Sequence, residues 1–255
     1  MERYKAVCLD LDGTVYKGIE PIPEAVTFID RLQKQGVEPY FITNNSSMTR
    51  EQIREKLLSF HIQADPGRIM TSAIAAAKYC AEHFAGGTVM MIGERGLEEA
   101  LELEGIQLTG KHPDVVVMGI DRQISYAKLA EACLALRQGA HFIATNSDRA
   151  FPTERGLVPG NGSFVALMES ASGKKPLFVG KPEPSMLRLI QQDQQYEKEE
   201  MIMIGDNYDT DIMAGIRFGI DTAHVAGGVT SPQEVQRKDN LPTYRFDTLL
   251  DWFKA

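Results

Sequence analysis

Short, continuous apolar runs alternate along the chain with longer stretches in which apolar residues return every three or four positions. The runs at 6–9, 40–42, 89–92, 115–118, 142–144, 177–179, 201–204 and 222–225 read as strands. They do not alternate polar with apolar, the pattern of strands covered on both faces, so a parallel sheet with flanking helices is predicted. The stretches between carry helix signals. Pro23 opens one helix, Val26, Ile29 and Leu32 line a face, and Gly36 closes it. Thr49 with Gln52 forms a capping box ahead of Ile53 and Leu57. Pro184 opens another helix, with Met186, Leu187 and Ile190 on one side. A short acidic helix is predicted over 97–103, between Gly96 and Gly105, its glutamates forming a solvated face. Pro39 cannot donate to a strand ladder, so the strand beside it starts at Tyr40.

Composition narrows the class. The 255 residues suggest one large domain or two modest ones. With 43% hydrophobic and 24% charged residues, the chain is neither disordered nor fibrous. No apolar run is long enough for a membrane span, and the first residues do not read as a signal peptide. A net charge of −8 argues against a general nucleic-acid binder. It leaves room for a small anionic substrate, because one lysine and a metal ion can invert the local field. Cys8, Cys80 and Cys133 have no zinc spacing and suggest no disulfide framework; they are expected as buried thiols in a reducing cytoplasm. The five histidines are scattered and are expected to serve the surface or the core.

Candidate chemistry lies where polar residues follow strands. Asp10 and Asp12 follow the first strand, Thr43, Asn44 and Asn45 the second, Lys181 the run at 177–179, and Asp206 and Asp211 the run at 201–204. In an open α/β sheet, ligands bind beyond the carboxyl ends of the strands. If these four strands share one sheet, the four groups converge. Clustered carboxylates repel by roughly 4 kcal/mol per pair at ~4 Å. A hard divalent cation relieves that, and oxygen ligands that leave room for water suit Mg²⁺. Lys181 and the Thr43 hydroxyl then offer a charge and a donor to a phosphate. The two-residue spacing of Asp10 and Asp12 returns both carboxylates to one side of an extended chain, and Gly13 allows a sharp turn. Asp10 is assigned as a nucleophile forming an aspartyl-phosphate, and Asp12 as acid to the leaving group and then base to water.

Asp10-Leu11-Asp12-Gly13-Thr14, Thr43-Asn44-Asn45, Gly180-Lys181-Pro182 and 205–211 resemble, in order, the four motifs of the haloacid dehalogenase superfamily of phosphatases. The stretches 144–146, 151–156 and 159–163 resemble its NagD-like branch, which includes p-nitrophenyl and sugar-phosphate phosphatases. The resemblance implies a Rossmann-like α/β core from residues 1–79 and 179–255, and an inserted α/β cap over 80–178. It implies Mg²⁺ held by Asp10, the Asp12 carbonyl and Asp206 with Asp211 in support, and a transferring phosphate held by Thr43, Asn44 and Lys181. It also makes a homodimer through the cap an expectation.

The insert is expected to close over the site and contribute specificity, with Asn146, Asp148 and Arg155 as cap candidates for touching substrate. Asp209 is read as a helix cap rather than a ligand, and 160–163 as a strand-to-helix turn. The expected activity is therefore Mg²⁺-dependent hydrolysis of small phosphate monoesters by a cytoplasmic enzyme, with a phosphorylated metabolite as partner and neither nucleic acid nor membrane. A phosphotransferase or phosphomutase with the same intermediate, and a non-catalytic phosphate sensor, remain as alternatives.

Overall fold

The computed structural model describes the chain except Glu2, Glu154 and Ala255 and the side chain of Pro152. Glu154, part of the 151–156 stretch, therefore lies outside the described residues. The chain divides into two compact units. One comprises Met1–Thr43, Glu51–Met70 and Lys181–Ala255, the other Asn44–Arg50 and Thr71–Gly180. The chain thus crosses between units at 43/44, 50/51, 70/71 and 180/181, where the resemblance implies two crossings, before 80 and after 178.

The first unit is built on a sheet in the order Tyr244–Phe246, Asp221–Val225, Met201–Gly205, Ala6–Asp10, Tyr40–Thr43 and Ile69–Thr71. Ala6–Asp10 runs parallel to both of its neighbours. Every residue of this strand and of Met201–Gly205 is buried, which explains why their sequences show no alternation. The helix Pro23–Lys34 buries Ala25, Phe28, Ile29 and Leu32 and packs against the C-terminal segment Leu249–Lys254. Its Phe28 ring meets Trp252 and Phe253 at centroid distances of 5.8 and 5.7 Å. Tyr16–Lys17 and Glu20–Pro21 form a small antiparallel hairpin directly after the first strand.

The second unit has its own parallel sheet, in the order Leu177–Phe178, His141–Ala144, Val115–Met118, Thr88–Ile92 and Gln107–Leu108. Val116, Met118, Phe142 and Ala144 from the strands join Ala132, Leu136, Val165 and Met168 from two helices in one core. Those helices are Tyr126–Gln138 and Asn161–Ser172; of the 160–163 run read as a strand-to-helix turn, only Gly160 lies between strand and helix, at the N-cap position, and 161–163 form the helix's first turn.

Two expectations need correction. The strand Leu177–Phe178 pairs with Ile143 and Ala144 in the second sheet and does not share a sheet with Ala6–Asp10. A two-residue strand carries too little pattern to choose its own partner. The acidic helix begins at Arg95, not after Gly96. Gly96 lies inside it because a β-carbon there would strike the Met48 backbone, and its N–H donates to the Ser47 carbonyl at 2.9 Å. Among the described residues no helix is long and apolar enough to cross a membrane.

Candidate active site

The parallel strands Ala6–Asp10, Tyr40–Thr43 and Met201–Gly205 end at one edge of the first sheet, which places Asp10, Thr43 and Asp206 there. Lys181 reaches the same place by another route. Gly180 lies against the Thr145 carbonyl with no room for a side chain, and the chain then passes to the first unit at Lys181. The Lys181 ammonium, 3% exposed as a residue, bonds the Asp10 carboxylate and lies 2.7 Å from Asp211 Oδ1.

Asp211 comes from a single π-helical turn, Tyr208–Ile212. Its Oδ2 accepts the Asn207 N–H at 3.0 Å. A β-carbon on Gly205 would collide with it, so glycine at the strand end is what lets this carboxylate lie in the cluster. Asp206 is held from both sides. Its Oδ1 accepts from Thr14 Oγ1 at 3.0 Å and its Oδ2 from the Val229 N–H at 2.7 Å. Gly13, at φ +101°, packs against the same carboxylate; a β-carbon there would stand 2.5 Å from Asp206 Oδ2.

Three buried carboxylates, Asp10, Asp206 and Asp211, thus present oxygens within 4.8 Å of one another. At an effective dielectric of ~20, one such pair repels by roughly 3–4 kcal/mol. Burial, then Asp211, push the Asp10 carboxyl well above its ordinary range, against the pull of Lys181. Burial and Asp211 raise Asp206 likewise, while the Val229 and Thr14 bonds oppose the shift. Burial disfavours the Lys181 charge, but Asp10 and Asp211 outweigh it and its pKa is raised. With these carboxylates ionised, one ammonium leaves two negative charges unmatched. The donor set is all oxygen, so the residues present fit a hard divalent cation.

Asp12, two residues beyond Asp10, is exposed on the turn and bridges to Tyr16. Asp209 is also exposed and pairs with Lys238 at 2.7 Å; the side chain that caps this turn is Asn207, which accepts the Asp209 N–H at 3.0 Å. The expectation that Asp209 is the cap is thereby corrected: Asn207 precedes the turn and its side-chain Oδ1 reaches forward to the Asp209 N–H.

The remaining candidates belong to the second unit. Asn44, Asn146 and Asp148 come together there: Asn44 Nδ2 donates to Asp148 Oδ2 at 3.1 Å and Asn146 Nδ2 to the Asn44 carbonyl at 2.8 Å. Arg155 does not join them. It is exposed at the turn between the strands Ala150–Thr153 and Gly156–Pro159, and its backbone N–H donates to Thr153 Oγ1 at 3.3 Å. Sequence reasoning assigned no role to Thr14, Val229 or His224 around Asp206. Thr14 lies within a motif, and His224 ends the neighbouring strand, so position offered a signal for both.

Comparison with known proteins shows the family. Residues 7–107 match the family described as haloacid dehalogenase-like hydrolase, and residues 178–252 match HAD-hydrolase-like. Over 252 residues the chain is 44% identical to 5'-nucleotidase YutF of Bacillus subtilis, covering 99% of this chain and 98% of that protein. This chain belongs to the haloacid dehalogenase-like hydrolases. It is also 46% identical over 250 residues to acid sugar phosphatase of Staphylococcus aureus, covering 98% and 96% of the two chains. A double mutant of the thermostable NPPase of Geobacillus stearothermophilus superposes with a TM-score of 0.93 at 44% identity, covering 99% of each chain. The kinship places this hydrolase in the NagD-like branch.

Proposed function

We propose that this hydrolase cleaves small phosphate monoesters through an aspartyl-phosphate on Asp10, with a divalent ion, Mg²⁺ by its ligand chemistry, held by Asp10, Asp206 and the Asp12 carbonyl and supported by Asp211. The observation that carries the reading is the buried cluster of three carboxylates around one lysine. Such a cluster stabilises little by itself and is suited to a doubly charged cation and a phosphoryl group. When bound, the ion supplies positive charge to the carboxylates and to the phosphoryl oxygens.

An Asp10 oxygen forms a bond to phosphorus as the bond to the ester oxygen breaks, and Asp12 gives its proton to the departing alkoxide. Water then attacks phosphorus, Asp12 takes back a proton, and Asp10 leaves as a carboxylate. Exposure suits Asp12 to this exchange, since it must meet both leaving group and water. Lys181 and Thr43 hold the phosphoryl oxygens, Lys181 supplying charge that Asp10 and Asp211 keep in place. The names of the relatives, a nucleotidase, an acid sugar phosphatase and a p-nitrophenylphosphatase, support small phosphorylated metabolites as the substrate class.

We assign specificity to the second unit, with Asn146 and Asp148 as its candidate determinants. The test is a phosphate-release screen over nucleotide and sugar phosphates, with and without Mg²⁺, with Asp10→Asn as the blank. Turnover is expected only with the ion and with Asp10 intact. Equal phosphate release by the blank would overturn the assignment.

A further inference from the structure

Asp206 is oriented by a short loop, and a histidine pins that loop. Its Oδ2 accepts the Val229 N–H at 2.7 Å, and its main-chain carbonyl accepts the Thr230 N–H at 3.2 Å. Gly227 takes φ +101°, and its carbonyl accepts from Lys17 Nζ at 2.6 Å. Gly228 leaves no space for a β-carbon against the Asp206 carboxylate, so the loop lies flat on it. His224 stands behind this loop, in the strand Asp221–Val225, in register with Gly205 and 1% exposed. Its Nε2 lies 3.1 Å from the Asp206 carbonyl oxygen and 3.0 Å from the Thr230 carbonyl oxygen. Carbonyls only accept, so Nε2 carries the hydrogen and donates to both. One N–H therefore joins the residue that bears the carboxylate to the far end of the loop that orients it. An interior strand position would favour an aliphatic β-branched residue; the buried imidazole carries a desolvation cost there that these two bonds offset.

We propose that His224 is a positioning residue for the divalent-ion site: through Thr230 and Val229 it fixes the Asp206 carboxylate in the direction needed to hold the ion. The proposal rests on the reading of Asp206 as an ion ligand, given above. Loss of the N–H leaves the Thr230 carbonyl without this donor and frees Val229 to drift from Asp206.

The test is calorimetric titration of Mg²⁺ into the 255-residue chain and its variants. Loss of partners that orient metal ligands typically weakens binding about 10–100-fold, and that range is expected for His224→Leu. His224→Gln, whose amide N–H reaches close to the Nε2 position, is expected to recover most of the affinity. The Mg²⁺ concentration for half-maximal turnover should rise with the dissociation constant, while turnover at saturating Mg²⁺ changes less. A folded His224→Leu that binds Mg²⁺ as tightly as the parent overturns the proposal. So does a His224→Gln as impaired as His224→Leu, because packing alone would then account for the loss. Should the leucine variant not fold, His224→Asn, whose amide is too short to reach both carbonyls, takes its place in the comparison with glutamine. A parent protein that binds no Mg²⁺ overturns the reading of the ion site itself and the inference with it, an outcome visible before any variant is made.

Discussion

Individual side chains around Asp206 limit substitution at the glycines packed against its carboxylate. Gly13→Ala brings a β-carbon to 2.5 Å from the Asp206 carboxylate at a positive φ. It should cost about 1–3 kcal/mol in urea unfolding and weaken Mg²⁺ binding; a variant matching the parent in both would refute the close packing described. The raised pKa values of Asp10 and Asp206 set a sign for pH. In ion-free protein these groups hold protons above the ordinary carboxylate range, so the folded state binds more protons than the unfolded one. Their contribution to stability is present at low pH and is lost as pH rises through the raised values. A divalent ion restores what is lost. Added Mg²⁺ should therefore raise the melting temperature more at pH 8 than at pH 5, and a pH-independent rise would contradict the repulsive cluster. At this scale the sequence was legible where a motif has fixed order: Asp10, Lys181, Asp206 and Asp211 come together in the first unit. His224 was not legible, because a single histidine that bonds two main-chain carbonyls leaves no spacing pattern.

Elements whose residues carry a strong period were readable, and those held by their neighbours were not. The all-buried strands showed as unbroken apolar runs, and the helix Ser185–Gln194 buries the Met186, Leu187 and Ile190 expected of it. The hairpins Tyr16–Pro21 and Ala150–Pro159 are too short or too polar to stand out, and the π-helical turn at Tyr208–Ile212 has no sequence period at all. The acidic helix Arg95–Leu103 offers a direct test of its two faces. Leu101 is fully buried, and Leu101→Ala should cost about 2–5 kcal/mol. Glu98 pairs with Arg95 on the exposed side, and Glu98→Gln should change stability by less than about 1 kcal/mol. Urea unfolding decides; equal costs would mean that the glutamate face is not merely solvated.

For the whole molecule, the sequence carried family and fold class, while the place where the chain passes from one unit to the other is set by packing that no local pattern announces. Ser72–His83 shows why: its alanine-rich face packs against the acidic helix of the second unit, and alanine gives little hint of which core it enters. Replacing residues 71–180 by those of a relative with another preference should move substrate preference and leave Mg²⁺ dependence in place; a folded chimera with unchanged preference would argue against specificity residing there. The central claim concerns Asp10, and rapid acid quenching during turnover of a phosphate ester labelled at phosphorus tests it most directly. Peptide mapping should find the label on the peptide containing Asp10, released by hydroxylamine as an acyl phosphate, and absent from Asp10→Asn. Rapid phosphate release with no label on that peptide at any quench time, together with an active Asp10→Asn, would contradict the account.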